Sequence, residues 1–204
     1  MAWYDVTGTV ADWIMAGSAV FAAVKANQWF SQRLHSKGLD KAEEILLSID
    51  NLMNELDTIL FKVHESKHYL KAIESNRIVA DPELLKAYDL IIATQTEKFN
   101  HVLKIRQDTR LLDRWNVTPK NNELFDNIYL SLSDLFVSTT QTISIAHKCL
   151  HDISYMSRSD FESAYKVYLN LYEKSQNQLE KVHRDYKKII ALEFKELFEL
   201  KKPH

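Results

Sequence analysis

The stretch that decides the fold is residues 40–74, which read DKAEEILLSIDNLMNELDTILFKVHESKHYLKAIE. Small and apolar residues recur in it at alternating steps of three and four, at Ala42, Ile45, Ile49, Leu52, Leu56, Ile59, Val63, Ser66, Leu70 and Ile73. This seam is typical of a helix that packs along its whole length against other helices. It indicates a partner surface and gives no sign of a reaction.

Glycine and proline, the residues that punctuate strands and tight turns, are scarce. There are three of each, and no glycine follows Gly38. Three further periodic stretches begin near Pro82, Leu124 and Phe161, and the last runs to about residue 202. Short connections favour antiparallel neighbours. We therefore predict an all-α fold: an elongated, coiled-coil-like, antiparallel up-down-up-down four-helix bundle with an extra N-terminal apolar helix.

The N-terminal helix differs in composition from the rest of the chain. Three of the four tryptophans lie in residues 1–36, and residues 13–24 carry no charge. Gly38 is followed by Asp40, and aspartate is a good N-cap. We therefore predict that the first bundle helix begins at Asp40, with residues 1–36 as one unit and residues 37–204 as the bundle.

Because the N-terminal helix is apolar on both sides, something must surround it. Its alanine-rich face would let another backbone approach closely, as in packed membrane helices. Three interpretations stay open: the helix spans a bilayer, it lies in the membrane interface or self-associates, or it packs on its own bundle. The predicted membrane or oligomer face comprises Trp3, Trp13, Ala16, Ala19, Val20, Phe21, Ala23 and Trp29.

Polar residues interrupt the four seams at nearly equal depth if successive helices alternate in direction. They are Ser66, Gln95, Thr139, Thr142 and Ser175, with Tyr69, Tyr88, Tyr168 and Tyr172 nearby. A hydrogen-bonded layer that fixes the register of the helices would explain them, because buried polar groups must be paired. The alternative is a hydrated pocket for a small polar ligand or a peptide.

Residues 64–68 read HESKH and match the HExxH pattern on a predicted helix. In zinc proteases, two histidines four apart share a helix face and bind the metal, while the glutamate activates water. The resemblance to zincins is limited to these five residues, and the seam turns His64 and His68 toward solvent. We predict a solvated face and no cofactor, with His64 and His68 as the candidate ligands should a metal bind.

The counts of charged residues and cysteines, and the lack of two kinds of motif, argue against several classes of protein. With 26 basic and 28 acidic residues, the chain has no net field that would draw in nucleic acid. The only cysteine, Cys149, cannot form an intrachain disulfide, which fits a reducing compartment. Neither a glycine-rich phosphate loop nor a nucleophile motif occurs in the sequence.

Together these features favour a non-enzymatic interaction or scaffold protein, tethered to a membrane or assembled into a homo-oligomer by its N-terminal helix. Its partners would be another protein, a second copy of the chain or membrane lipid. We expect it in the cytoplasm, peripheral to or anchored in the membrane. Two alternatives stay open: a membrane-active effector whose N-terminal helices permeabilise a bilayer, and a metal-dependent hydrolase that uses residues 64–68.

Overall fold

A computed structural model describes residues 3–76 and 82–201, apart from the side chains of residues 3–12, 14 and 74–76. About 90% of the chain is helical, so the all-α prediction is confirmed. The elements in chain order are α1 (Trp3–Asn76), α2 (Pro82–Leu111), a 3₁₀ helix (Leu112–Trp115), β1 (Val117–Pro119), α3 (Asn122–Asp152), α4 (Arg158–Ile190), α5 (Phe194–Leu197) and β2 (Phe198–Leu200).

Helix α1 has 74 residues, and at 1.5 Å per residue it extends for about 110 Å. It passes through Gly38 without a break, so the predicted helix start at Asp40 is wrong. A Cβ atom at position 38 would lie 2.5 Å from Val117 Cγ2 and 2.8 Å from the Trp115 carbonyl oxygen. Glycine therefore permits a close contact here, and this contact offsets its helix-propensity cost of about 1 kcal/mol.

The backbone of α1 is continuous, but the burial of its side chains changes along the helix. Apart from half-buried Ser31, every described side chain between positions 13 and 34 is exposed, whereas buried positions begin at Gly38 and Ala42. Nine of the ten seam residues predicted in residues 40–74 are buried, and Ile59 is half-buried. The seam is therefore confirmed as a core-facing stripe. The division into residues 1–36 and 37–204 as separate units stays a prediction.

The core consists of two clusters of buried apolar side chains, and all four long helices contribute to both. Helix α3 packs against α2 and α4, and α1 packs against α2 and α3. The first cluster includes Ile49, Leu56, Val102, Ile128, Leu132 and Val182. The second includes Val63, Leu70, Tyr88, Ile143, Cys149 and Phe161. Their burial supplies the main favourable term for folding.

Helix α3 begins at Asn122, close to Leu124, where the third periodic stretch begins in the sequence. Asn121 is its N-cap, and the side-chain Oδ1 accepts a hydrogen bond from the Leu124 N–H at 3.1 Å. A cap of this kind pairs one of the four N–H groups that a helix leaves without internal partners. Helix α2 begins at Pro82, the first-turn position that proline favours.

The C-terminal segment departs from the sequence prediction. Helix α4 ends at Ile190, so the predicted continuation to about residue 202 is wrong. The chain turns at Glu193, whose N–H donates to Glu196 Oε2 at 2.8 Å. Strand β2 then pairs antiparallel with β1, placing Phe198 opposite Pro119.

Apolar burial explains this reversal. Leu197 and Phe198 are buried in the first core cluster, and the Phe198 ring lies 5.3 Å from the ring of Phe125 between centroids. A straight continuation of α4 would carry both side chains away from α3. Because each large apolar side chain contributes roughly 1.5–3 kcal/mol on full burial, the folded-back segment is favoured.

Candidate functional site

The described N-terminal part of α1, residues 13–34, presents large apolar side chains to solvent; we call it the N-terminal surface. Trp13 is 75% exposed, Phe21 64% and Trp29 52%. Met15, Val20, Val24, Phe30 and Leu34 are exposed as well. Monomeric proteins rarely expose so long an apolar stretch unless another molecule covers it.

The apolar side chains surround the helix and do not form a single stripe. At about 100° per residue, Trp13, Phe21, Trp29 and Phe30 point in four directions separated by roughly a quarter turn. The predicted small-residue face, Ala16, Ala19 and Ala23, is exposed with them. The side chain of Trp3, which we placed on the same face, lies outside the described part of the structure.

Basic side chains lie against aromatic rings of the N-terminal surface. The Lys25 Nζ atom is 5.6 Å from the centroid of the Phe21 ring, and the Arg33 Cζ atom is 5.1 Å from that of Trp29. At exposed sites such cation–π contacts are worth about 0.5–1 kcal/mol each. Among the residues that the structure describes, no helix has a stretch long and apolar enough to cross a membrane.

The predicted polar layer lies in the core, and its members form three separate hydrogen-bonded pairs. Thr139 Oγ1 donates to Gln95 Oε1 at 2.5 Å, the Thr142 and Ser175 hydroxyls are 3.1 Å apart, and Ser66 Oγ is 2.8 Å from the Tyr168 hydroxyl. All six side chains are buried. On α2, α3 and α4 the polar residues separate the two apolar clusters, whereas Ser66 lies within the second one.

The tyrosines that we assigned to the layer have unlike surroundings. Tyr168 is buried and stacks on half-buried Tyr172, with 6.2 Å between ring centroids, whereas Tyr69 is exposed. Burial raises the pKa of both Tyr88 and Tyr168, so both phenols are neutral near pH 7. Within the described structure, the Tyr88 hydroxyl and Gln95 Nε2 are buried and have no hydrogen-bond partner.

His64 and His68 are both exposed and lie outside the buried seam of α1. Their Nε2 atoms are 3.1 Å apart, and His64 Nδ1 is 2.9 Å from the Tyr172 hydroxyl. Glu65, the glutamate of the motif, forms an ion pair with Lys62 at 3.0 Å. The described residues contain no group of three or more His, Cys, Asp or Glu side chains that could hold a metal ion.

The lone cysteine lies deep in the second cluster. Burial raises the pKa of the Cys149 thiol to about 11, so the reactive thiolate is scarce at neutral pH. The thiol therefore serves as a small apolar side chain of the core.

Sequence reasoning missed two polar sites. Asp185 is buried and accepts hydrogen bonds from Ser131 Oγ at 2.6 Å and Lys188 Nζ at 2.8 Å. A second site is a cleft near Arg106 and Arg110. The four-residue spacing of these arginines was visible in the sequence, but the cleft also depends on β1 and on the reversed C-terminal segment, which the helical periodicity did not predict.

Comparison of the chain with protein-family models, curated proteins and solved structures finds no match.

Proposed function

We propose that this protein is a non-enzymatic helical interaction protein: a four-helix bundle that is tethered to a membrane by the N-terminal surface of α1. Its place would be the cytoplasmic side, peripheral to or anchored in the bilayer. The observation that carries the proposal is the exposure of large apolar side chains along residues 13–34. Nothing else in the described chain covers them.

Cross-helix hydrogen bonds support the bundle with up-down-up-down topology. Three pairs of helices are each joined by two of these hydrogen bonds. The bond that involves the higher residue number on one helix involves the lower residue number on the other, which is the pattern of antiparallel neighbours. The pairs are Gln95–Thr139 and Thr109–Tyr129 between α2 and α3, Ser131–Asp185 and Thr142–Ser175 between α3 and α4, and Asp50–Tyr186 and Ser66–Tyr168 between α1 and α4.

Two features favour lipid over one partner helix as the cover of the N-terminal surface. First, a single partner helix would cover one stripe, whereas Trp13, Phe21, Trp29 and Phe30 point to all sides. Second, aromatic residues followed by the basic side chain of Arg33 are typical of a segment near the headgroups, where rings and cations both find favourable partners. An assembly of several copies is the competing occupant.

A flotation assay with lipid vesicles tests the proposal. Two phenylalanines on α1 supply a test variant and its matched control. Phe21 and Phe61 are 64% and 63% exposed, and each has a lysine Nζ atom 5.6 Å from its ring centroid. Only Phe21 belongs to the N-terminal surface. Phe21→Asp should lower the partition of the full chain into vesicles at least about ten-fold, because aspartate is costly in the apolar layer. Phe61→Asp should leave partition unchanged.

The same samples should be examined for mass in solution without vesicles. A chain that does not float but forms an oligomer that Phe21→Asp dissociates would replace lipid by copies of the chain as the occupant. A monomer that does not float would overturn the proposal. Release of a trapped dye on binding would point instead to an effector that permeabilises the bilayer.

A further inference from the structure

A polar cleft of about 420 Å³ lies where the C-terminal end of α2, the first turns of α3, β1 and Lys201 meet. It is remote in sequence from the N-terminal surface, because its described lining residues lie between positions 106 and 201. Three cations and two carboxylates are among its described lining residues, so the lining has an excess of one positive charge.

The two arginines of the cleft compete for one carboxylate. Asp126 Oδ1 lies 2.9 Å from Arg106 Nη2 and 3.0 Å from Arg106 Nε, which makes a close charge-assisted contact. Arg110, one turn further along α2, comes only within 3.8 Å of the same oxygen, beyond hydrogen-bond distance. The side chain of Arg110 is about two-thirds exposed. Asp126 therefore balances Arg106, and Arg110 supplies the surplus charge.

The other polar groups are arranged to complement this charge. Lys201 pairs with Asp113, which holds the C-terminal segment beside the cleft. Asn122, the first residue of α3, also lines the cleft. Asn121 pairs the Leu124 N–H at this helix start, and the N-terminal end of a long helix favours an anion.

The floor of the cleft is aromatic. Tyr129 is buried, and its hydroxyl is 2.6 Å from Thr109 Oγ1, so this polar atom is already paired within the protein. The Phe125 ring lies beside it, at a centroid distance of 6.4 Å. Such a floor favours the apolar body of a ligand, while the arginine at the rim favours its charged group.

We propose that this cleft binds a small organic anion, in which one phosphate or carboxylate group is joined to a compact apolar or aromatic body. The charged group accepts hydrogen bonds from Arg110, and the body lies over Phe125 and Tyr129. The planar guanidinium presents paired donors that match a phosphate or carboxylate.

Calorimetric titration of the full chain with phenyl phosphate tests the site. Arg110→Gln removes the surplus charge and should weaken binding about ten-fold or more, the effect of losing a charge-assisted hydrogen bond. Arg114→Gln is the matched control, because Arg114 is exposed, close in sequence and absent from the lining. It should change the affinity less than two-fold. Circular dichroism should show the same helicity in both variants.

A second variant should change the affinity for phenyl phosphate in the opposite direction. Asp126→Asn removes the carboxylate that competes with the ligand for both arginines, and should tighten binding of phenyl phosphate several-fold. Asp134→Asn, at an exposed position of the same helix, should not. Absence of binding at millimolar phenyl phosphate, or equal weakening by Arg110→Gln and Arg114→Gln, would overturn the site. Equal affinity for inorganic phosphate would overturn the role of the aromatic floor.

Discussion

The two described parts of α1 share one continuous helix but meet different surroundings. Between positions 42 and 73 the apolar residues recur at steps of three and four, and that stripe is buried against other helices. Between positions 13 and 34 apolar residues occur all round the helix and stay exposed. The comparison shows that a helix finds its partners within its own chain where the apolar residues form one stripe. Where they surround the helix, the described residues of the chain leave them exposed.

The largest expected change in the free energy of unfolding comes from a matched pair of leucines, one in each part of α1. Leu56 is fully buried and Leu34 is 38% exposed, both on α1. Leu56→Ala should lower the free energy of unfolding by about 2–5 kcal/mol, because it leaves a cavity in the first core cluster. Leu34→Ala should change it by less than about 0.5 kcal/mol. Urea denaturation measures both, and equal losses would contradict the division of α1.

Two glycines of α1 provide the next test. A Cβ at Gly38 would collide with Val117 and Trp115, whereas a Cβ at Gly17 meets nothing within 4 Å. Gly38→Ala should lower the free energy of unfolding by about 1–3 kcal/mol, since the strain exceeds the gain in helix propensity. Gly17→Ala should not destabilise the chain. A stabilised Gly38→Ala variant would show that α1 does not pack closely on the segment around Val117.

Asp185 makes the buried part of the molecule sensitive to acid. Burial of the carboxylate opposes ionisation, but the hydrogen bonds from Lys188 and Ser131 prevail and hold its pKa below the ordinary 3.8. A pKa lowered by folding stabilises the protein above that ordinary value, and the gain disappears as pH falls through the folded-state pKa. Asp185→Asn should therefore lower the free energy of unfolding by about 1 kcal/mol at neutral pH. This difference from the wild-type chain should shrink below about pH 4.

Unfolding by urea at several pH values measures this dependence. Asp134→Asn, which removes an exposed carboxylate from α3, is the control and should change the free energy of unfolding by less than about 0.5 kcal/mol. A difference between the wild-type chain and Asp185→Asn that grows in acid would contradict the assigned direction of the pKa.

The smallest effect is expected at His64, an exposed position beside the buried seam of α1. His64→Gln should change the free energy of unfolding by less than about 0.5 kcal/mol, because its contact with Tyr172 is at the surface. Elemental analysis of the purified chain should give the same metal content before and after substitution. Stoichiometric zinc that disappears in the variant would restore the metal-dependent alternative.

Local periodicity predicted much of the fold, and tertiary contacts account for the errors. The seam from Ala42 to Ile73 could be read from the sequence because the helical period fixes which side chains share a face. Gly38 was misread as a break, since nothing local reveals that Val117 packs on it. The reversal after Ile190 escaped prediction for the same reason: the gain from burying Phe198 depends on α3.

The sequence predicted which residues belong to the candidate site, but it did not predict how their side chains are arranged. Trp13, Phe21 and Trp29 were placed on the N-terminal surface because an all-round apolar helix is visible in the sequence. The polar layer was recognised by depth, yet its three separate pairs depend on side-chain geometry. The cleft beside Arg110 requires the C-terminal reversal, so sequence periodicity had no means of finding it.

The most direct test of the central claim is the fluorescence emission of the N-terminal tryptophans. Trp115→Phe leaves Trp3, Trp13 and Trp29 as the only tryptophans, and excitation at a wavelength that tyrosine does not absorb restricts the emission to them. We expect emission typical of solvent-exposed tryptophan in the dilute chain, and a shift to shorter wavelength when vesicles are added, because the rings enter an apolar phase. Emission that stays the same in the presence of vesicles would contradict the claim that the N-terminal surface is covered by lipid.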